Sequence, residues 1–299
     1  MKDGFWEQFR EMVNGYQYIL ARQTEWAKNQ GLDLIGSQVN IGRPMYTVNL
    51  DHNLFQPLLS DVRNSFSAAN GKELGPSSLP GKMQAIHSSS ALAVNVFQYW
   101  KSISEVPEIA AACRLCRRGS KFSYDIQFEE KYPIKDSFSR HPNIDVVIHN
   151  EPNARIQRFA IECKFSEAYG SYKHTGLKKK YLDYVDIWDG ISKLRVLAQR
   201  ISPDDNEFKY LHPAQLIKHI LAMKRQFGRS GFRLLYLWYD VFGEQGKHHR
   251  DEIEVFAKVA KGDGINFHSL TFQELIISLA SKFRLDHKKY VHYLTERYL

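Results

Sequence analysis

Two carboxylates and a lysine, carried on two neighbouring apolar stretches, form the strongest chemical signal in this sequence. The first stretch holds Asp145 and the second holds Glu162 and Lys164, and apolar residues recur at every second position in both. This alternation predicts β-strands, so Glu162 and Lys164 share a face and lie about 7 Å apart. Turn-forming residues at 150–154 predict an antiparallel hairpin. The returning strand brings Glu162 close to Asp145.

A group of this composition is suited to metal-assisted hydrolysis of a phosphate ester. Converging carboxylates offer the hard oxygen ligands that Mg²⁺ prefers. The metal would act as a Lewis acid and would lower the pKa of its bound water. A lysine beside it could orient or deprotonate the attacking water and offset the negative charge that builds on the phosphate.

These residues resemble the signature of the PD-(D/E)XK nuclease superfamily, the fold of many restriction and repair endonucleases. The resemblance implies that Asp145 and Glu162 bind the metal, with the backbone carbonyl of Cys163 as a further ligand. It implies that Lys164 positions the water or stabilises charge, and Glu167 is a candidate additional acidic group. The implied cofactor is Mg²⁺, with Mn²⁺ as a substitute, and the implied substrate is DNA.

The order of the surrounding elements matters because so short a motif also occurs on ordinary half-exposed strands. The superfamily core runs helix, three meandering strands, helix and strand. In chain order the sequence predicts a helix over 90–101, a strand over 122–129, the two site strands, a helix from Pro213 to Gly228, and a buried strand over 232–241. An amphipathic helix over 5–29 precedes this core, and a strand at 265–269 and a capping box at Thr271–Glu274 follow it. The predicted fold is α/β: a restriction-endonuclease-like mixed central sheet flanked by helices, with helical N- and C-terminal additions.

Three features depart from the superfamily pattern. Pro142 stands three positions before Asp145 instead of directly before it. The first helix carries Asn95 where many relatives place a further acidic metal ligand. Gln215 and His219, four residues apart on one helix face, resemble the Gln-x-x-x-Tyr element of exonuclease-like relatives, with histidine in place of tyrosine. They could contact the substrate or lie on a solvated helix face, and the sequence leaves both possibilities open.

The net charge of +8 suits a protein that binds a phosphate backbone. Two basic groups flank the predicted site in sequence. Arg117 and Arg118 precede the first strand, and Lys178, Lys179 and Lys180 follow the last site strand. We expect both groups to contact DNA phosphates. Each could also be a solvated loop.

The chain has 299 residues, of which 43% are apolar, enough to bury a substantial core. We expect a largely helical N-terminal extension over 1–87 and a nuclease-like domain over 88–299, with an insertion at 166–206. Without a membrane-spanning apolar run or a signal-peptide core, we expect no membrane partner and a cytoplasmic location. Cys113 and Cys116 lack the second cysteine pair that a zinc site would need.

The sequence therefore predicts a metal-dependent (endo)deoxyribonuclease that hydrolyses phosphodiester bonds of DNA, in restriction, defence or repair. The protein could act as a homodimer or within a larger complex, because cutting both strands of DNA often requires two active sites. Two alternatives stay open: a nucleic-acid-binding module that does not cleave, and an interaction subunit of a larger complex. Salt-dependent binding to DNA would separate these two alternatives.

Overall fold

The structure, a computed structural model, describes residues 14–35, 44–76, 79–171 and 173–299. The α-helices within these ranges are α1 (Gly15–Asn29), α2 (Ser60–Ala68), α3 (Ser89–Ser102), α4 (Val106–Ala112), α5 (Lys179–Asp183), α6 (Ser192–Arg200), α7 (Pro213–Phe227), α8 (Glu244–Gly262), α9 (Phe272–Phe283) and α10 (Lys288–Tyr298). The first part of the helix predicted over 5–29 lies outside the described residues. Within the part of the chain that is described, none of the helices combines the length and the apolarity needed to cross a bilayer.

A mixed five-stranded sheet lies at the centre of the protein. Its strands are β1 (Ser123–Lys131), β2 (Asn143–Asn150), β3 (Arg158–Lys164), β4 (Phe232–Trp238) and β5 (Phe267–Thr271). The strands lie side by side in chain order; β1, β2 and β3 are antiparallel neighbours, and β4 and β5 continue parallel to β3. The predicted α/β architecture, a mixed central sheet flanked by helices, is confirmed.

The predicted hairpin between the two site strands is also confirmed. β2 and β3 pair antiparallel, with Val146 opposite Ile161. Continuing this register by one residue sets Asp145 opposite Glu162. Asp145 stands near the start of β2, and Glu162 and Lys164 stand at the end of β3. The three residues therefore gather at one end of the sheet.

Two hydrophobic clusters cover the two faces of the sheet. One contains Ile161 and Cys163 of β3 together with residues of α3, α4, α9 and α10. The other contains Ala160 of β3 and residues of α6, α7 and α8. Because side chains alternate along a strand, Glu162 and Lys164 share the face of Ala160. They therefore face α7.

The helix boundaries follow the predicted capping residues. The Ser88 hydroxyl accepts a backbone hydrogen bond from the first turn of α3. Pro213 opens α7, and Gly228 ends it with φ 67° and ψ 178°, a backbone conformation that residues with a Cβ rarely adopt. Thr271 and Glu274 form the predicted capping box of α9. Local sequence signals thus fix where these helices begin and end.

The last helix, α10, connects the N-terminal segments to the rest of the fold. Arg297 is 1% exposed, and its five hydrogen bonds all go to neutral oxygens. Its acceptors include the backbone carbonyls of Asn53 and Ile86 and the side-chain oxygen of Gln23. Its guanidinium carbon also lies 4.0 Å from the ring centroid of Trp26. Carbonyl oxygens and an aromatic ring therefore surround this buried cation.

Residues on both sides of the predicted domain boundary at position 87 contribute to one hydrophobic cluster. Ile19, Leu58 and Phe66 belong to the same cluster as Phe97 and Trp100 of α3. The boundary at residue 87 and the insertion at 166–206 stay predictions.

Candidate active site

Asp145, Glu162 and Lys164 meet at the end of the β2–β3 pair. The Nζ atom of Lys164 lies 2.6 Å from Oε1 of Glu162. The backbone N–H of Cys163 donates a hydrogen bond of 2.8 Å to Oδ2 of Asp145. The Glu162 side chain is 1% exposed and that of Lys164 is 15% exposed, so the lysine is the more accessible of the two. The alternation in the sequence thus placed two carboxylates and a lysine at one point.

The charges of this cluster act strongly on one another because little water screens them. Burial, and then the charge of Glu162, raises the pKa of Asp145 well above its ordinary value. Burial opposes ionisation of Glu162 as well, but Lys164 and His219 outweigh it and lower the pKa of Glu162 to about 2. Burial also opposes the charge on Lys164, yet the nearby carboxylates, led by Glu162, raise the pKa of Lys164. At neutral pH the cluster holds an ionised Glu162, a cationic Lys164, and an Asp145 that a further cation would help to ionise.

His219 corrects one prediction. It was expected to contact substrate or to lie on a solvated helix face, but it is 1% exposed and its Nε2 lies 2.8 Å from Oε2 of Glu162. An ionised carboxylate only accepts hydrogen bonds, so Nε2 donates. His219 therefore orients the Glu162 carboxylate from within the protein, and it does not lie on a solvated helix face. The sequence showed the helix but not which face of α7 packs on the sheet. Gln215, one turn earlier, is half-buried, and its contact with substrate stays a prediction.

The donor atoms of the cluster fit a hard divalent cation. In an extended strand the N–H and C=O of one residue face the same side. Because the Cys163 N–H faces Asp145, the Cys163 carbonyl faces that side too, whereas the Lys164 carbonyl accepts from Tyr239 on the other side. Asp145, Glu162 and this carbonyl offer the oxygen set that Mg²⁺ prefers. No three acidic, histidine or cysteine side chains of the described residues form a metal-binding group, so backbone and solvent oxygens would complete the coordination.

Two further carboxylates approach the cluster, and the sequence analysis missed both. The β1–β2 register sets Glu129 opposite Asp145, and Asn143 donates a hydrogen bond of 2.8 Å to Glu129. Burial raises the pKa of Glu129 to about 7, against the hydrogen bond from Asn143 and with the help of Glu73. Glu129 also has φ 53°, a strained backbone for a residue with a side chain. Glu73, in the loop before α3, accepts a hydrogen bond of 3.2 Å from Ser90. The only sequence signal for either carboxylate was that Glu129 is an acidic residue at the end of the first predicted strand.

The predicted lysines Lys178, Lys179 and Lys180 lie close to this cluster. Together with Lys218 of α7 they line one groove. Lys178 and Lys179 are exposed, and Lys180 is half-buried. Lys218 is near enough to Glu162 for the two charges to interact. The lysines therefore line a groove near the cluster, and their contact with DNA stays a prediction.

Arg117 and Arg118 lie at the wrong end of the sheet to flank the cluster. They precede β1, whose first residue, Ser123, pairs with Asn150 at the end of β2. The cluster of Asp145, Glu162 and Lys164 lies at the opposite end of both strands, and the six residues from Ser123 to Glu129 span roughly 20 Å. Arg117 and Arg118 therefore do not lie beside the cluster, and their contact with DNA phosphates stays a prediction. Closeness in sequence to β1 does not reveal which end of β1 carries the site.

The structure also shows the surroundings of three weaker candidates from the sequence: Asn95, Glu167 and the pair Cys113 and Cys116. Asn95 is 2% exposed and donates a hydrogen bond of 3.0 Å to the Tyr298 hydroxyl, so it is a packing amide. Glu167 is exposed just past β3. Cys113 is buried and Cys116 is half-buried, both as free thiols.

Comparison with known proteins shows which family this chain belongs to. No curated protein and no solved structure matches the chain. A family model described as Restriction Endonuclease associating with ARP matches residues 20–299. The match includes every strand of the sheet and Asp145, Glu162 and Lys164, and the predicted restriction-endonuclease-like fold is confirmed. The chain belongs to this family of restriction endonucleases associating with ARP.

Proposed function

We propose that this protein is a Mg²⁺-dependent nuclease that hydrolyses phosphodiester bonds of DNA, with Mn²⁺ able to replace Mg²⁺. The observation that carries the proposal is the buried carboxylate pair, Asp145 and Glu162, with Lys164 Nζ 2.6 Å from Glu162. Membership of a restriction-endonuclease family supports phosphodiester hydrolysis as the reaction. Family membership also favours restriction or defence over repair as the biological role.

In this proposal Asp145, Glu162 and the Cys163 carbonyl hold the cation. Mg²⁺, when bound, supplies a Lewis acid for the phosphate and a water of lowered pKa. Lys164 is cationic, so it orients the attacking water and offsets charge on the phosphate instead of removing the proton. Water adds to phosphorus, the bond to the leaving oxygen breaks, and that oxygen takes up a proton. His219 keeps the Glu162 carboxylate in place throughout.

The family description names an association with ARP, and we propose that this chain acts on DNA as one component of such a complex. The competing function is a DNA-binding subunit that does not cleave. The complete set of Asp145, Glu162 and Lys164 favours cleavage, because a subunit without activity has no need of a buried, charged cluster that costs solvation free energy.

Cleavage of supercoiled plasmid and of labelled single-stranded DNA, in Mg²⁺, Mn²⁺ or EDTA, tests this function. We expect metal-dependent cutting by the wild-type protein, and a loss of at least about 10²-fold in rate for Asp145→Asn and for Lys164→Met, since each removes a group that stabilises the transition state. Glu254→Gln, a carboxylate exposed on α8, is the matched control and is expected to cut normally.

The same assay separates the alternatives when ARP is added. Cutting only in the presence of ARP assigns the activity to the complex. Wild-type protein that binds DNA but cuts in neither condition is a non-cleaving module, and the nuclease proposal is then wrong.

A further inference from the structure

A concave groove beside the catalytic cluster is lined by six basic side chains. Its volume is about 430 Å³. We call it the basic groove, and its basic residues are Arg140, His141, Lys178, Lys179, Lys180 and Lys218. The remaining lining residues are neutral, and no aspartate or glutamate is among the described residues that form its walls. A groove of one charge sign raises the local concentration of anions.

None of the six basic side chains of the groove forms an ion pair with a carboxylate of the described chain. A neighbouring cavity of about 560 Å³, also lined by α7, shows the contrast. There, Lys135 pairs with Asp186 at 2.5 Å and Arg225 pairs with Asp136 at 2.8 Å. Two of the cations of that cavity, Lys135 and Arg225, are thus neutralised by carboxylates of the protein itself. Those of the basic groove are available to an anion from outside.

Lys218 lines the basic groove and also lies near Glu162 and Lys164 of the predicted site. Its neighbour in sequence, His219, binds Glu162. Burial lowers the pKa of Lys218, an effect that Glu162 opposes and that Lys164 and Lys178 reinforce. Lys218 is half-buried and forms no hydrogen bond or ion pair with any residue in the described ranges. A half-buried ammonium without a partner costs solvation free energy, and a bound anion would offset that cost.

The shape of the groove indicates which form of nucleic acid it accepts. Basic side chains that follow a narrow concavity suit the backbone of one strand. A volume of about 430 Å³ has room for part of one phosphodiester chain.

We propose that the basic groove binds the phosphates of a single nucleic-acid strand next to the scissile bond, with Lys218 as the contact nearest the catalytic cluster. The inference rests on the proposed nuclease function and specifies its substrate: an unpaired strand leads into the site. The groove is formed by Arg140 and His141, from the segment between β1 and β2, together with the lysines of the 166–206 segment.

The test is the salt dependence of binding by the full chain. Fluorescence anisotropy of a labelled single-stranded oligonucleotide in EDTA gives the affinity over a range of salt concentrations. We expect Lys218→Met to bind more weakly and to reduce the slope of log affinity against log salt by about 0.7, the contribution of one phosphate contact on a single strand. The double variant Lys178→Gln/Lys179→Gln is expected to reduce the slope by about 1.4.

Arg284→Gln is the matched control, since it removes one exposed positive charge just past α9, which packs on the other face of the sheet. It is expected to keep the wild-type slope. Thermal unfolding shows whether Lys218→Met is folded, and we expect its melting temperature to equal or exceed that of wild type because an unpaired, half-buried charge is removed.

The outcomes separate this inference from the proposed function. Wild-type slopes in both groove variants overturn the inference, even if DNA is cut. A slope reduced only with duplex, and not with the single strand, also overturns it. If the variants reduce the slope as expected but wild type never cuts, the groove is supported and the nuclease proposal fails.

Discussion

Each oxygen of the Glu162 carboxylate lies close to a nitrogen atom of a basic side chain. Lys164 approaches Oε1 and His219 approaches Oε2. A cation that enters beside Asp145 would therefore meet a carboxylate whose orientation is already fixed. Donors behind a metal ligand of this kind raise affinity by preventing the ligand from turning away. At the residue scale, His219 is therefore a positioning residue.

We expect His219→Ala to lower the metal-dependent cleavage rate by roughly 10- to 100-fold and to raise the Mg²⁺ concentration needed for half-maximal rate. The reason is that Glu162 loses its buried donor and gains freedom to rotate. His219→Gln retains an N–H donor and is expected to recover part of the rate. A purely structural role would instead lower the melting temperature of both variants while leaving the Mg²⁺ requirement unchanged.

At the scale of elements, α8 docks on the sheet through a buried histidine. His249 accepts or donates hydrogen bonds at both ring nitrogens, to Tyr236 at 3.0 Å and to Tyr169 at 3.1 Å. The Tyr169 hydroxyl itself donates to the Tyr239 carbonyl, so His249 Nδ1 donates to Tyr169 and Nε2 accepts from Tyr236. The neutral ring satisfies this chain of bonds and the protonated ring does not.

This arrangement predicts acid sensitivity between pH 6.5 and about 3. Burial, with smaller contributions from His174 and Arg250, lowers the pKa of His249 from 6.5 to about 3. The unfolded chain therefore binds the extra proton first as pH falls. His249 contributes full stability above pH 6.5 and loses it toward pH 3, with a slope of at most about 1.4 kcal/mol per pH unit. Urea unfolding of wild type and His249→Gln at pH 7, 6, 5 and 4 measures the slope.

His248→Gln is the control for this experiment, because His248 is adjacent in sequence but exposed. We expect it to follow the wild-type dependence of unfolding free energy on pH. His249→Gln is expected to be less stable at pH 7 and to lose less stability on acidification. Equal pH dependence in wild type and His249→Gln would contradict this account.

At the scale of the whole molecule, the first and last described helices, α1 and α10, contact each other. Arg297 of α10 binds Gln23 of α1, and the Arg22 side chain of α1 donates to the Leu299 carbonyl at 2.7 Å. The Tyr298 ring is buried and its hydroxyl accepts from Asn95 of α3. The N-terminal segments, α3 and α10 thus stabilise one another.

We expect Arg297→Met to lower the free energy of unfolding by roughly 2–5 kcal/mol, because the buried carbonyls of Asn53 and Ile86 lose their donor. Calorimetry should show one unfolding transition at a lower temperature in the variant. Arg284→Met, an exposed arginine just past α9, is the control and is expected to change little. Two separated transitions would mean that the N-terminal segments unfold as their own unit.

Patterns that act over a few residues were readable from the sequence, and those that depend on packing were not. Alternation along β2 and β3 and the short hairpin between them brought Asp145 to Glu162, because the period of a strand and a turn are local properties. Glu129 was missed because its position opposite Asp145 depends on the β1–β2 register, set across an eleven-residue connection between Lys131 and Asn143. His219 was misinterpreted because the packing of α7 decides which of its faces is buried.

The burial of α10 has a consequence for synthesis of the protein on the ribosome. Tyr290, Leu294 and Tyr298 fill the cluster that also contains α3, so that cluster is incomplete until residue 298 has emerged. At the usual rates of elongation, strands β2 and β3 leave the ribosome several seconds before α10 does. During that interval the apolar face of α3 is exposed. The nascent chain therefore passes through a stage in which Asp145, Glu162 and Lys164 are present but the hydrophobic cluster around α3 is incomplete.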